Sequence, residues 1–129
     1  MLGDYLLDTN IMIAVFREQP AVLTRLRAAP RVFIAPASIG ELFFGAFKSA
    51  RKTENLTRAN RFIANCHVVT CDTSTGRVFG QIKAEQQAKG QPIPDNDLWI
   101  AASARQHGLT PATRDAHFLD VTGLAIEAW

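Results

Sequence analysis

The stretch Tyr5-Leu6-Leu7-Asp8-Thr9-Asn10 lies near the beginning of the chain and decides its fold. Its three apolar residues predict a short buried strand. The polar residues that follow are typical helix N-caps, and they predict a helix through Ile11–Phe16. A strand therefore runs almost directly into a helix, and an acid, Asp8, lies at the junction.

The same alternation of short apolar runs and longer helical patterns continues to the end of the chain. After Tyr5–Leu7, the predicted strands are Val32–Ile34, His67–Thr70, Leu109–Thr113 and Leu124–Ile126. The later helices are predicted from Pro20, from Ser38, over Glu54–Asn65, from Thr73 or Ser74 to near Gly90, and over Asp95–His107. This order predicts an α/β fold, a three-layer α/β/α sandwich with a mainly parallel sheet and right-handed crossovers.

Length and composition exclude several classes of protein. The chain has 129 residues, which fits a single domain over residues 1–129. A hydrophobic content of 47%, with only 8 glycines and 6 prolines, excludes a disordered or collagen-like chain. No uncharged apolar run approaches the ~20 residues of a membrane span. Asp4 and Asp8 stand where a secretory signal would be basic, so we expect a soluble, cytoplasmic protein without a membrane partner.

Four acids fall where predicted strands end or predicted helices begin. Asp8 and Asp115 follow strands, whereas Glu41 and Asp97 lie in the first turns of helices. In a parallel α/β sheet these positions meet beyond the carboxyl ends of the strands, where functional groups gather. We therefore expect the four carboxylates to converge.

Each acid also has a structural interpretation. Ser38-x-x-Glu41 matches a capping box, and Asp97 could complement a helix dipole. Asp8 could cap a helix, and Asp115 could begin a turn. Taken singly, the structural role is favoured for Glu41 and Asp97, and the two roles are nearly balanced for Asp8.

Taken together, the four acids favour a metal site. Clustered carboxylates raise one another's pKa unless a cation is present. Oxygen ligands without histidine or cysteine indicate Mg²⁺ or Mn²⁺, and such a site favours phosphoryl chemistry. The three histidines show no zinc-binding spacing, and Trp99 is predicted to belong to the core.

Four segments carry a resemblance to a known family. They are Leu6-Leu7-Asp8-Thr9-Asn10, Ala37-Ser38-Ile39-Gly40-Glu41-Leu42-Phe43-Phe44-Gly45, Pro94-Asp95-Asn96-Asp97-Leu98-Trp99-Ile100-Ala101-Ala102 and Thr113-Arg114-Asp115. In order and spacing, over the whole chain, they resemble the PIN domain, and in particular the VapC-type toxins of type II toxin–antitoxin pairs.

The resemblance implies a metal-dependent endoribonuclease whose acidic pocket consists of Asp8, Glu41, Asp97 and Asp115. By the family pattern, Asp8 and Asp97 hold the Mg²⁺ or Mn²⁺ most directly, and the other two acids complete the pocket. The resemblance also implies a homodimer, an RNA substrate and a cognate antitoxin. The antitoxin's tail would block the pocket and its dimer would bind operator DNA, which makes that DNA an indirect partner.

Two residues depart from the simple pattern. Pro111 cannot donate a ladder hydrogen bond, so the strand before Asp115 is expected to be short or at an edge. Asp95 could compete with Asp97 as a ligand, although an N-cap role is favoured.

Two other functions stay open, a phosphatase of related α/β architecture and a non-catalytic PIN-like binding module. Asn10 stands where a D-x-D phosphatase would need an acid, and the presence of all four acids disfavours a purely binding module. A last prediction concerns assembly. The helix with Leu42, Phe43, Phe44 and Phe47 is expected to form, with Glu54–Asn65, a contact surface for a second copy or the antitoxin.

Overall fold

The computed structural model describes residues 4–129. Residues 1–3 lie outside the described residues. They belong to the predicted domain 1–129 and to the segment that was compared with a secretory signal. The elements are β1 (Asp4–Leu7), α1 (Thr9–Phe16), α2 (Pro20–Ala28), β2 (Arg31–Ile34), α3 (Pro36–Phe47), α4 (Lys52–Ala64), β3 (His67–Val68), α5 (Thr73–Ala88), α6 (Asp95–His107), β4 (Thr110–Ala112) and a 3₁₀ helix (Ala116–Asp120).

The four strands form one parallel sheet in the order β3-β2-β1-β4. The chain moves outward from β1 to β3 and then returns to the other side of β1 to form β4. The strand order therefore reverses between β1 and β4. In open α/β sheets, ligands bind beyond the carboxyl ends of the strands at such a reversal.

Two apolar cores lie on opposite faces of the sheet. Leu6 packs in one core with residues of α5 and α6, whereas Leu7 packs in the other with residues of α1 to α4. Neighbouring strand residues point to opposite faces, so these two leucines bury both sides of β1. Helices thus cover the sheet on both faces, which confirms the predicted α/β class and its three layers.

The later strands are shorter than predicted. β4 has three residues and lies at the sheet edge, as expected for a strand that contains Pro111. The predicted strand Leu124–Ile126 is wrong, because only a single bridge, between Glu127 and Ala112, joins this part of the chain to β4. Of the strand predicted over His67–Thr70, only His67–Val68 (β3) is observed as a strand.

Several helix ends differ from their predicted positions. α3 begins at Pro36, two residues before Ser38, because proline suits the first helical position, where no N–H is needed. α5 begins at Thr73, and its N-cap is Asp72 rather than the expected Thr73 or Ser74. The side chain of Asp72 accepts a hydrogen bond from the N–H of Thr75. Gly108 ends α6 in the left-handed conformation, as predicted. Among the described residues, no helix has both the length and the apolar character to cross a bilayer.

The two cysteines occupy different surroundings. Cys66 is half-buried, and burial raises the pKa of its thiol to about 11. Cys71 is exposed, because it lies in the loop that follows β3. Both are free thiols in this structure.

Candidate functional site

The acids meet at the point where the strand order reverses. Asp8 directly follows β1, and Asp115 lies three residues beyond β4. The register between β1 and β4 pairs Leu7 with Ala112, so the segments that follow these two strands leave the sheet side by side. The sheet topology therefore explains why acids that are far apart in sequence share one site.

Asp8 is the most deeply placed acid, with 4% of its surface exposed. Its Oδ1 accepts a hydrogen bond from the backbone N–H of Thr9, which caps α1. Its Oδ2 accepts from the hydroxyl of Thr113, at 2.7 Å. Burial raises the pKa of Asp8, and the negative charges of Asp115 and Glu41 raise it further, against these two hydrogen bonds. Asp8 is thus both a helix cap and a fixed, uncompensated carboxylate.

Asp97 lies in the first turn of α6, as predicted. Its pKa is raised from an ordinary 3.8 to about 6, first by burial and then by the charges of Asp8 and Asp115. A stabilising contact with the helix dipole alone would lower the pKa of an acid at this position. The raised pKa therefore reflects burial beside like charges rather than the role of a helix cap.

Glu41 reaches the site differently from the expectation. Because α3 begins at Pro36, Glu41 lies in its second turn and is exposed. The predicted capping box with Ser38 is wrong: Ser38 is buried inside the helix, and its hydroxyl has no hydrogen-bond partner among the described residues. Glu41 Oε1 instead accepts from the hydroxyl of Thr9, at 3.0 Å, which places it beside Asp8.

Asp115 is held by the turn that follows β4. Its N–H donates to the Thr113 hydroxyl oxygen, at 2.9 Å, while the same hydroxyl donates to Asp8. Its Oδ1 accepts from the backbone N–H of His117 and so caps the 3₁₀ helix. The Thr113 hydroxyl thus connects the two acids at the strand ends, a link that the sequence analysis did not identify.

His117 is a further site residue that the sequence analysis missed. Its Nδ1 lies 3.1 Å from Asp115 Oδ1 and 3.5 Å from Asp97 Oδ2. These three side chains offer ligand atoms that all lie within 4.8 Å of one another. The Asp115-x-His117 spacing was the available signal, but alone it does not show that the imidazole turns toward α6.

The donor set fits a hard divalent cation. In residues 4–129, no lysine or arginine forms an ion pair with Asp8, Asp97 or Asp115. Carboxylate oxygens are the ligands that Mg²⁺ and Mn²⁺ prefer, and an ion would remove the repulsion that raises the pKa of Asp97. Asp95 does not share this environment, since it is exposed and pairs with Lys83 at 3.3 Å. It is the first residue of α6 rather than its N-cap, which is Pro94.

Comparisons with known proteins cover almost the whole chain. A family model described as the PIN domain matches residues 5–124. Ribonuclease VapC2 of Haemophilus influenzae is 33% identical over 128 residues, which are 97% of each protein. The tRNA(fMet)-specific endonuclease VapC of Shigella flexneri is 34% identical with the same coverage.

Two solved structures are similar at the level of the fold. DNA-bound VapBC from Salmonella typhimurium matches with a TM-score of 0.91 at 30% identity, and the match covers 99% of both chains. VapBC2 from Rickettsia felis, bound to a promoter DNA fragment, matches with a TM-score of 0.89 at 25% identity, over 97% of this chain and 98% of that chain. All four acids lie within the residues matched by the family model.

Proposed function

Because this chain belongs to the PIN domain family, we propose that it is a Mg²⁺- or Mn²⁺-dependent endoribonuclease, the toxin half of a toxin–antitoxin pair. The observation that carries the proposal is the convergence of Asp8, Glu41, Asp97 and Asp115, to none of which a lysine or arginine of residues 4–129 is ion-paired. The names of the similar VapC proteins, which are ribonucleases or endonucleases, support the same activity.

Asp8 and Asp97 would hold the ion most directly. Asp8 is buried and rigidly hydrogen-bonded, and the side chain of Asp97 is 18% exposed against 27% for Asp115. A divalent ion bound there supplies a Lewis acid that neutralises phosphate charge and makes water a better nucleophile. The pKa values of Asp8 and Asp97 are raised because both carboxylates are buried close to other negative charges, an arrangement that a bound cation would stabilise.

The remaining residues position these acids and handle protons. The Thr113 hydroxyl fixes Asp8 Oδ2, and the Thr9 hydroxyl fixes Glu41 Oε1. Glu41 Oε2 has no hydrogen-bond partner among the described residues, so it can accept a proton from an attacking water. Asp115 completes the pocket.

Cleavage of bulk RNA by the purified chain tests this proposal. We expect cleavage with Mg²⁺ or Mn²⁺ and none with EDTA, and we expect Asp8→Asn and Asp97→Asn to remove most of it. Asp95→Asn is the matched control, because Asp95 lies two residues from Asp97 but pairs with Lys83 outside the cluster. Full activity of Asp97→Asn would contradict the site. Hydrolysis of phosphomonoesters without RNA cleavage would favour the phosphatase alternative.

An apolar groove beside the acids supports the antitoxin as partner. The groove has a volume of about 370 Å³ and lies between α1, α3 and α4. It follows α1 from Thr9, next to Glu41, to Arg17 at the other end of the helix. Ile13, which lines the groove, is 40% exposed, and a large apolar side chain exposed in a groove favours a binding partner. Phe44 and Phe47 are 66% and 58% exposed, but they lie on a different face of α3 from the residues that line the groove.

We assign this groove to a segment of the antitoxin, since the similar solved structures are VapBC complexes. Such a segment would cover Ile13 and could carry an arginine to the acids, where carboxylates accept bidentate hydrogen bonds. Operator DNA would then be bound through the antitoxin. A homodimer is part of the same proposal, and light scattering of the purified chain tests it.

A further inference from the structure

A second cavity lies beyond the carboxyl ends of β2 and β3. Its volume is about 370 Å³. It is lined by residues from the start of α3, the loop after β3 and one face of α6, among them Ala35, Pro36, Cys71, Asn96, Trp99 and Ser103. The proposed function assigns no role to this cavity.

The topology places this cavity next to the cluster of acids. Ala35 follows β2, and Cys71 lies shortly after β3, so the cavity lies beyond the carboxyl ends of these two strands. The acids lie beyond the same ends of β1 and β4. Because β1 and β2 are neighbours and adjacent strands are about 4.8 Å apart, the cavity and the acids lie close together along the same edge of the sheet.

Helix α6 contributes residues both to the cavity and to the cluster of acids. Asn96, Trp99 and Ser103 are three and four residues apart and therefore share one face of the helix. Asp97 is one residue further along the helix than Asn96, a rotation of about 100° that turns it toward the acids. A molecule bound at Asp97 thus has the cavity directly beside it.

Trp99 differs from its predicted role as a core residue. Its side chain is half-buried, and its ring stacks on Phe79 with centroids 4.1 Å apart and planes 27° apart. The stacking holds the indole in place while it lines the cavity. A fixed aromatic ring in a cleft loses little conformational entropy when a second ring stacks on it.

The lining indicates which part of a nucleotide fits. The lining residues include no lysine or arginine, so the cavity offers no cation to a phosphate group. The side-chain amide of Asn96 has no hydrogen-bond partner among residues 4–129, and it can both donate and accept. An aromatic ring for stacking beside a free amide is the combination that binds an unstacked RNA base.

We propose that this cavity binds one base of the RNA, next to the phosphate that the acids cleave, with Trp99 as stacking platform and Asn96 as the residue that reads the base edge. The inference rests on the proposed ribonuclease function. It adds a specificity-determining subsite to it.

The first test uses the binding of neutral nucleosides, which needs neither metal nor cleavage. The chain has two tryptophans, so a ¹⁵N-labelled sample gives two indole signals, and Trp99→Phe assigns them. Trp129 is 8% exposed and packs against Tyr5, which makes its signal an internal control. We expect adenosine, cytidine, guanosine or uridine at millimolar concentration to move the Trp99 signal and leave the Trp129 signal in place. If none of the four moves it, the proposal is overturned.

The second test separates binding from chemistry in the cleavage of short single-stranded RNAs. Removing a stacking ring typically weakens binding to RNA about 10-fold or more. Trp99→Leu should therefore raise KM by about that factor with a smaller change in kcat, and Trp99→Phe should restore it. Asn96→Ala, at an exposed position that tolerates truncation, should alter the preferred base beside the cut. Val68→Ala, at an exposed position of β3 that lines neither the groove nor this cavity, is the control and should change neither.

The outcomes keep the two proposals apart. If the wild-type chain cleaves RNA, and Trp99→Leu and Asn96→Ala leave KM and base preference unchanged, the subsite is wrong and the ribonuclease stands. If the wild-type chain cleaves no RNA, the proposed function fails whatever the nucleosides do. If Trp99→Leu turns a dimer into a monomer and no nucleoside moves the indole signal, the cavity is a contact between copies, which also overturns the subsite.

Discussion

Replacing Asp97 by asparagine is expected to stabilise the protein at neutral pH while it disables the site. In the folded chain the pKa of Asp97 is about 6, against an ordinary value of 3.8. Between these values the folded state keeps a proton that the unfolded chain has lost, so ionisation of Asp97 makes the fold less stable as pH rises. Asparagine has the same shape and carries no charge, which removes this effect.

The size of the gain follows from the pKa. Each pKa unit corresponds to about 1.4 kcal/mol, so ionised Asp97 lowers the free energy of unfolding by at most about 3 kcal/mol. The side chain is 18% exposed, and solvent and salt screen part of the repulsion. We therefore expect Asp97→Asn to gain about 1–2 kcal/mol at pH 7.5 and nothing at pH 4, where the proton is largely retained.

Urea unfolding followed by circular dichroism, in a buffer with EDTA at a series of pH values, measures this difference. Asp95→Asn is the control, because Asp95 is 66% exposed and ion-paired on the surface, and it should change stability by no more than about 0.5 kcal/mol. Mg²⁺ should then raise the stability of the wild-type protein and have little effect on Asp97→Asn, since the ion binds the folded acids. A variant that is less stable than wild type at pH 7.5, or equally changed at every pH, would refute the reasoning.

Four further outcomes are expected. Thr113→Val removes the hydroxyl between Asp8 and Asp115 and should cost about 1–3 kcal/mol in urea unfolding together with most RNA cleavage, whereas Thr113→Ser should retain both. The apparent affinity for Mg²⁺, measured by calorimetry, should rise between pH 5 and pH 7 as Asp97 loses its proton, and a flat profile would exclude Asp97 as a ligand. Saturating Mg²⁺ should weaken binding of the antitoxin's C-terminal peptide, and an unchanged affinity would mean that the two bind at separate sites. Ile13→Ser should weaken binding of the antitoxin and leave RNA cleavage as it is, and an unchanged antitoxin affinity would contradict the groove assignment.

The parts of the fold that local patterns determine could be predicted from the sequence. Nearby residues determine the strand–helix junction, where Asp8 is the N-cap of α1. They also determine the end of α6, where Gly108 adopts the left-handed conformation. The start of α3 was wrong because Pro36 serves two patterns: it can end a strand, and it can also be the first residue of a helix. Because the predicted start of α3 was two residues too late, Ser38 and Glu41 were wrongly interpreted as a capping box.

The parts that depend on tertiary geometry could not be predicted in the same way. The sequence indicated which acids would reach the carboxyl edge, because strand ends and helix starts meet there. It did not indicate that the Thr113 hydroxyl connects two of them, or that the 3₁₀ turn brings His117 against Asp97. Trp99 was assigned to the core from its apolar surface alone, although its environment depends on how α5 and α6 pack.

The hydrogen bond from Thr113 to Asp8 joins residues 105 positions apart, and the one from Tyr5 to Glu127 spans 122 positions. A ribosome adds roughly 5–20 residues per second, so a growing chain contains β1 several seconds before β4 can pair with it. Through that interval Asp8 lacks both the hydroxyl that orients it and the neighbouring Asp115. The acids of this site therefore cannot come together until β4 has been synthesised, so the growing chain carries Asp8 for several seconds without a complete acidic cluster.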